Sequence, residues 1–147
     1  MTALSEQQAP SVADYLAEAG PRLANLCTAC GACFTACPIA AHIGLGAADG
    51  AAVTAGMRAL ATGSTTGGQP ASADAVAWVG ACAKSGLCVE ACPHKDSGLD
   101  AMLLIRIAKQ QALATGQLKT KYDLAQFPRL RVFAALQLTD EEQKAWL

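Results

Sequence analysis

Cys27-Thr28-Ala29-Cys30-Gly31-Ala32-Cys33-Phe34-Thr35-Ala36-Cys37-Pro38 is the stretch on which the reading of this chain turns. Its spacing is C-x2-C-x2-C-x3-C-P. In that pattern three closely spaced thiolates wrap one [4Fe–4S] cubane and the fourth points to a second cluster. The residues between the thiols, Thr28, Ala29, Gly31 and Ala32, are small, so the backbone can come close to a cluster. Pro38 lacks an N–H and fixes φ, which turns the chain away after Cys37.

A second run, Cys82-Ala83-Lys84-Ser85-Gly86-Leu87-Cys88-Val89-Glu90-Ala91-Cys92-Pro93, repeats the frame with one change. Ser85 stands where the second Cys would be, and Gly86 follows it as Gly31 follows Cys30. The two runs use all seven Cys. Paired runs of this kind exchange their last thiolate. Cys27, Cys30, Cys33 and Cys92 are therefore expected to hold a [4Fe–4S] cluster, and Cys37, Cys82 and Cys88 a second cluster. Three thiolates and a Ser leave three outcomes there. The first expectation is [3Fe–4S], because a hydroxyl is a harder and far less acidic ligand than a thiol. The others are a [4Fe–4S] cluster completed by Ser85 or water, and an open iron used as a Lewis acid.

Zinc fits this pattern poorly, since its sites commonly use two Cys pairs. A catalytic thiol needs a neighbouring base. The only histidines, His42 and His94, each follow a Cys-Pro and read as groups around the clusters or on the surface. Phe34, Ile39, Trp78, Leu87 and Val89 read as core that would exclude water from the clusters; Lys84 and Glu90 read as solvated. No catalytic residue is assigned.

The whole chain supports a cofactor-held fold. Of its 147 residues, 52% are apolar, but 33 are Ala and only 37 have larger apolar side chains, a thin supply for a core. Seven Cys is an odd number, and the first residues show no basic-then-apolar export signal, so a reducing, cytoplasmic setting is expected rather than disulfides. The longest stretch without Asp, Glu, Lys or Arg, 23–48, contains Pro38, three Gly and four Cys, so no transmembrane segment is expected. The net charge of -1 gives no field for nucleic acid. Charge is divided, however: the residues up to Ala101 sum to -4 and those from Arg106 onward to +3, with Lys119, Lys121, Arg129 and Arg131 in the basic part. That part reads as solvated surface, a docking surface for an acidic partner, or a counterweight to cluster charge.

Strand alternation is almost absent, so an all-α class is expected. Ser11 and Asp14 read as a capping box for a helix to about Glu18, stopped by Gly20-Pro21, with a short helix following to Leu26. Asp49 should cap a helix ending at Gly63, Ser72 one from Ala73 to Val79, and a third should run from Leu99 to Thr115, stopped by Gly116. Residues 61–72 read as a Gly/Ser/Thr loop, and Thr139-Asp140-Glu141-Glu142 as a new helix start that would need something to dock on. The division expected is 1–20 as tail and first helix, 21–116 as the dicluster domain, and 117–147 as a docking extension.

The paired runs, the helix-and-loop segment between them and the helix after the second Cys-Pro resemble the α-helical ferredoxin domain over about residues 20–115. Gly86-Leu87-Cys88-Val89-Glu90-Ala91-Cys92-Pro93 is similar to the G-L-C-x-E-x-C-P of the heterodisulfide reductase C subunit. Ser85 is similar instead to the succinate dehydrogenase iron–sulfur subunit, whose second run lacks this Cys. The latter resemblance implies a three-iron cluster on Cys37, Cys82 and Cys88. The resemblance implies a non-catalytic electron-transfer subunit of a multi-subunit oxidoreductase, with a flavoprotein and a catalytic subunit as partners, cytoplasmic and at most membrane-peripheral through them. The alternatives are a redox or iron sensor, and an enzyme binding substrate at an open iron of the second cluster.

Overall fold

A computed structural model describes residues 11–63, 71–119 and 138–146. The loose tail expected at 1–10, the centre of the 61–72 loop and the basic residues Lys121, Arg129 and Arg131 lie outside the described residues.

Ser11 caps α1 (Val12–Leu26) as a full capping box: its hydroxyl accepts from the Asp14 N–H, and the Asp14 carboxylate accepts from the Ser11 N–H. Gly20 and Pro21 do not stop this helix, which runs through both and through the boundary expected between residues 20 and 21. Packing overrides the local preference. Ala19, Leu23 and Ala24 are buried on one face, and a Cβ on Gly20 would collide with the carbonyl oxygen of Ala61. Gly20 is thus the point where α1 meets α4 (Gly50–Ala61), and the burial of Leu23 beyond it outweighs the hydrogen bond lost at Pro21.

Asp49 caps α4 by accepting from Ala51 and Ala52, and Ser72 caps α5 (Ala73–Gly80) by accepting from Ala75. The last long helix, α7 (Ala101–Ala114), starts two residues later than the apolar spacing suggests. Asp100 accepts from the Leu103 N–H as its N-cap, and Leu99 is buried just before it. Thr139 and Glu142 cap α8 (Asp140–Trp146) reciprocally, and their hydrogen bonds hold the Glu142 carboxyl below its ordinary range.

The described residues contain no strand, and the fold is all-α. α4 lies at its centre, packed most extensively on α7 and also on α5 and α1, while α1 and α5 flank α7. Leu23, Met57, Leu60, Val79, Leu104 and Ile107 fill the interior. No described helix is long and apolar enough to cross a membrane.

Candidate metal centres

The two Cys runs are not plain loops. Each leaves a helix, makes a tight turn and enters a short helix. Cys27 ends α1, and α2 (Ala32–Thr35) follows; Cys82 comes two residues after α5, and α6 (Leu87–Ala91) follows. The turns match residue for residue. Ala29 and Lys84, each two after the first Cys, have φ of 55° and 60°. Gly31 and Gly86, each four after it, have φ of 82° and 80° and cap α2 and α6. Ser85 therefore occupies the Cys30 position in backbone as well as in sequence. Left-handed Ala and Lys carry a conformational cost of about 1–2 kcal/mol each, and backbone strain of this kind gathers at functional sites.

The same geometry places the third Cys of each run on its short helix: Cys33 is the second residue of α2 and Cys88 the second of α6, and both are buried. α2 and α6 pack against each other. That contact carries the last thiol of each run to the other run's turn. One cavity is lined by Cys27, Cys30, Cys33 and Cys92, the other by Cys37, Cys82, Cys88 and Ser85. Counted to their mouths they measure about 330 and 370 Å³, so size does not separate them. Their linings do. The first is completed by Thr28, Thr54, His94 and apolar side chains, the second by Ile39, Trp78, Lys84 and apolar side chains.

α7 forms a wall of both cavities. Ala101 and Leu104 face the first; Met102 and Ile105, one residue on, face the second. These adjacent i, i+3 stripes put the two cavities side by side along one helix. Phe34 and Trp78 join the runs from the other side in an edge-to-face contact, centroids 5.3 Å apart at 74°.

Burial pushes the Cys33 thiol up to about 11; the thiols of Cys27 and Cys88 push it further the same way, and the Thr54 hydroxyl at 3.9 Å pulls against them. Burial also raises Cys88, with Cys82 and more weakly Cys37 adding to it. A thiolate at either place needs a counter-charge, which a bound metal centre supplies. Two further groups hold the first turn: Arg58 donates to the Cys27 carbonyl at 3.2 Å, and the Ala29 N–H to the Cys27 sulfur at 3.4 Å. His94, read from sequence as a group around the clusters or on the surface, lines the first cavity with its Nε2 3.0 Å from the Thr28 hydroxyl, tying the second run to the first turn. His42 is exposed and lines neither cavity.

Two expectations change. Leu87 is not core: it is 48% exposed at the start of α6. Glu90 is exposed, but it meets the Lys95 ammonium at 3.2 Å. Thr54 was missed. Its signal is faint, a lone polar residue on the apolar face of α4, yet it is only 1% exposed, donates to the Gly50 carbonyl at 2.7 Å and sits against Cys33.

The donors fit iron–sulfur chemistry. Soft thiols face apolar walls in both cavities. Among the described residues no three His, Cys, Asp or Glu side chains converge as the ligands of one metal ion would. A family profile described as the 4Fe-4S dicluster domain matches residues 23–96. The chain belongs to the 4Fe-4S dicluster domain family. The match covers half of the chain and takes in both Cys runs with α4 and α5 between them. It gives this dicluster domain [4Fe–4S] binding and an iron–sulfur electron-transfer role. The match stops at Asp96, before α7, although α7 walls both cavities. No curated protein and no solved structure matches the chain.

Proposed function

We propose that the chain is an electron-transfer subunit of a cytoplasmic multi-subunit oxidoreductase, linking a flavin or iron–sulfur donor to a partner catalytic subunit. Cys27, Cys30, Cys33 and Cys92 hold a [4Fe–4S] cluster. Cys37, Cys82 and Cys88 hold a [3Fe–4S] cluster, with Ser85 at the corner that lacks a thiol. Bound there, the clusters supply one-electron redox chemistry. The chain's own residues fix the thiols, exclude water with Phe34, Trp78, Met102 and Leu104, and tune the first site through Thr54. The observation that carries this reading is the division of seven thiols into four and three on two cavities that share a wall.

Ser85→Cys tests it. As isolated, the wild-type protein is expected to give the EPR signal of an oxidised three-iron centre. The variant is expected to lose that signal and gain iron, as a fourth thiolate holds a fourth iron. Two four-iron clusters in the wild type, by iron and sulfide analysis with EPR, would overturn the three-iron assignment. A colourless protein free of sulfide would overturn the whole reading.

A second reading has one observation in its favour. Substrate binding at an open iron needs charged groups beside Ser85, and the fold brings Arg106 and Lys109 close to Lys84 and Cys82. No carboxylate or imidazole joins them to move a proton.

A further inference from the structure

A surface recess of about 470 Å³ is lined by Cys82, Lys84, Arg106, Lys109 and Gln110. Cys82 and Lys84 also line the second cavity, so the recess lies directly over it. Three of its five lining residues are cations and none is an acid. Lys109 donates to the Gly80 carbonyl at 2.8 Å, which fixes that cation beside the end of α5. Lys84 and Arg106 are exposed and have no ion pair among the described residues, where the single ion pair is Lys95 with Glu90. Lys84 is held outward by a left-handed backbone, and the exposed Leu87 stands three residues further along the same turn.

Unpaired charge of one sign around an opening raises the local concentration of the opposite charge and speeds its arrival. The first cavity has no such rim: its cation, Arg58, is bound to the Cys27 carbonyl. We propose that this recess is the docking face for an acidic redox protein, whose carboxylates meet Lys84, Arg106 and Lys109 and whose apolar rim covers Leu87. The inference rests on the electron-transfer reading above. One electron crosses at this face: one protein is oxidised, the other reduced, and no bond or proton moves. An acidic protein suits the recess better than a small anionic substrate, because it is open, lacks a proton-transfer group and adjoins an exposed apolar side chain.

The test uses reduced holoprotein and two one-electron oxidants of opposite charge in stopped flow. Ferricyanide, taking one electron to ferrocyanide, is expected to react faster at low than at high salt, and hexaammineruthenium(III) to show the reverse. Arg106→Glu combined with Lys84→Asn, a residue that tolerates the left-handed backbone, is expected to slow ferricyanide by about tenfold and speed hexaammineruthenium(III). Lys109 is left in place because it holds Gly80. Binding of poly-L-glutamate to the holoprotein, followed by calorimetry, is expected to weaken about tenfold in the same variant. Arg22→Glu, on α1, is expected to change none of these readings. A charge-blind pair of rates, or unchanged poly-L-glutamate binding, in a variant with wild-type iron content and EPR would overturn the docking face. So would citrate binding tightly at the recess, which would make it a small-anion site. Absence of iron and sulfide from the wild type would instead remove the electron-transfer reading on which the inference stands.

Discussion

The two Cys turns have one backbone and two surroundings. The position of a Cβ on Gly31 lies 2.8 Å from the Gly50 carbonyl carbon and 2.9 Å from the Ala51 nitrogen, so the first turn is wedged against the start of α4. The same position on Gly86 meets nothing within 4 Å. Around the second turn Lys84, Ser85 and Leu87 are all exposed, and the Cys-to-Ser change falls there. Local conformation is therefore set by the spacing of thiols and glycines, whereas packing decides which turn is closed in and which faces outward. The inner turn keeps its full set of thiols; the outer one, with an irregular set, has the cationic rim.

The largest test of the comparison is whether the runs exchange their last thiols. Cys92→Ala is expected to abolish the four-iron centre, although Cys92 belongs to the second run, and to leave the three-iron EPR signal. Cys37→Ala is expected to do the opposite. Metal analysis with EPR on both variants decides it; if each variant loses the cluster of its own run, the packing of α2 on α6 does not set the ligands.

Next in size is the contrast between the two capping glycines. Gly31→Ala must adopt a left-handed backbone, at about 1–2 kcal/mol, and also displace the start of α4, at about 1–3 kcal/mol more. Gly86→Ala meets only the first of these costs. Denaturant unfolding of the holoproteins should rank them wild type, Gly86→Ala, Gly31→Ala. Equal losses would mean that the first turn is no more tightly built in than the second.

Thr54 sharpens the contrast from inside the cavities, since no threonine lines the second. Hydrogen bonding to a cluster sulfur favours the reduced, more negative state, so Thr54→Val is expected to lower the potential of the first cluster and leave that of the second in place. The stability lost should be about 1 kcal/mol. Potentiometric titration followed by EPR separates the two clusters; an equal shift in both, or none, would show that the hydroxyl serves only α4.

What was legible in the sequence follows from the range of each interaction. Helix caps at Ser11, Asp49 and Ser72 are local hydrogen bonds, and the residues that make them sit within three positions of one another. The thiol frame is equally local. The continuity of α1 was misread because it depends on Ala61, some forty residues away, against which only a glycine fits. The helices α2 and α6 escaped notice because they are four and five residues long, too short for any periodicity. The cationic recess was half visible, as a charge imbalance from Arg106 onward. Its position over Cys82 depends on how α7 packs beside α5 and α6, which no stretch of the chain declares alone.

The smallest effect is also the cleanest comparison, because Ala29 and Lys84 occupy the same strained position in the two turns. A glycine relieves about 1–2 kcal/mol of left-handed strain and gives back about 0.5–1 kcal/mol through the greater freedom of the unfolded chain. Ala29→Gly and Lys84→Gly should thus each stabilise the holoprotein by about 0.5–1 kcal/mol. The two should part in electron exchange. Ala29→Gly removes no charge and should leave ferricyanide oxidation unchanged; Lys84→Gly removes a cation from the recess and should slow it by a few-fold. If both variants gain stability and neither changes that rate, the outer turn differs from the inner one in packing alone. A gain from Ala29→Gly without one from Lys84→Gly would mean that the lysine side chain stabilises its turn by more than the strain it carries.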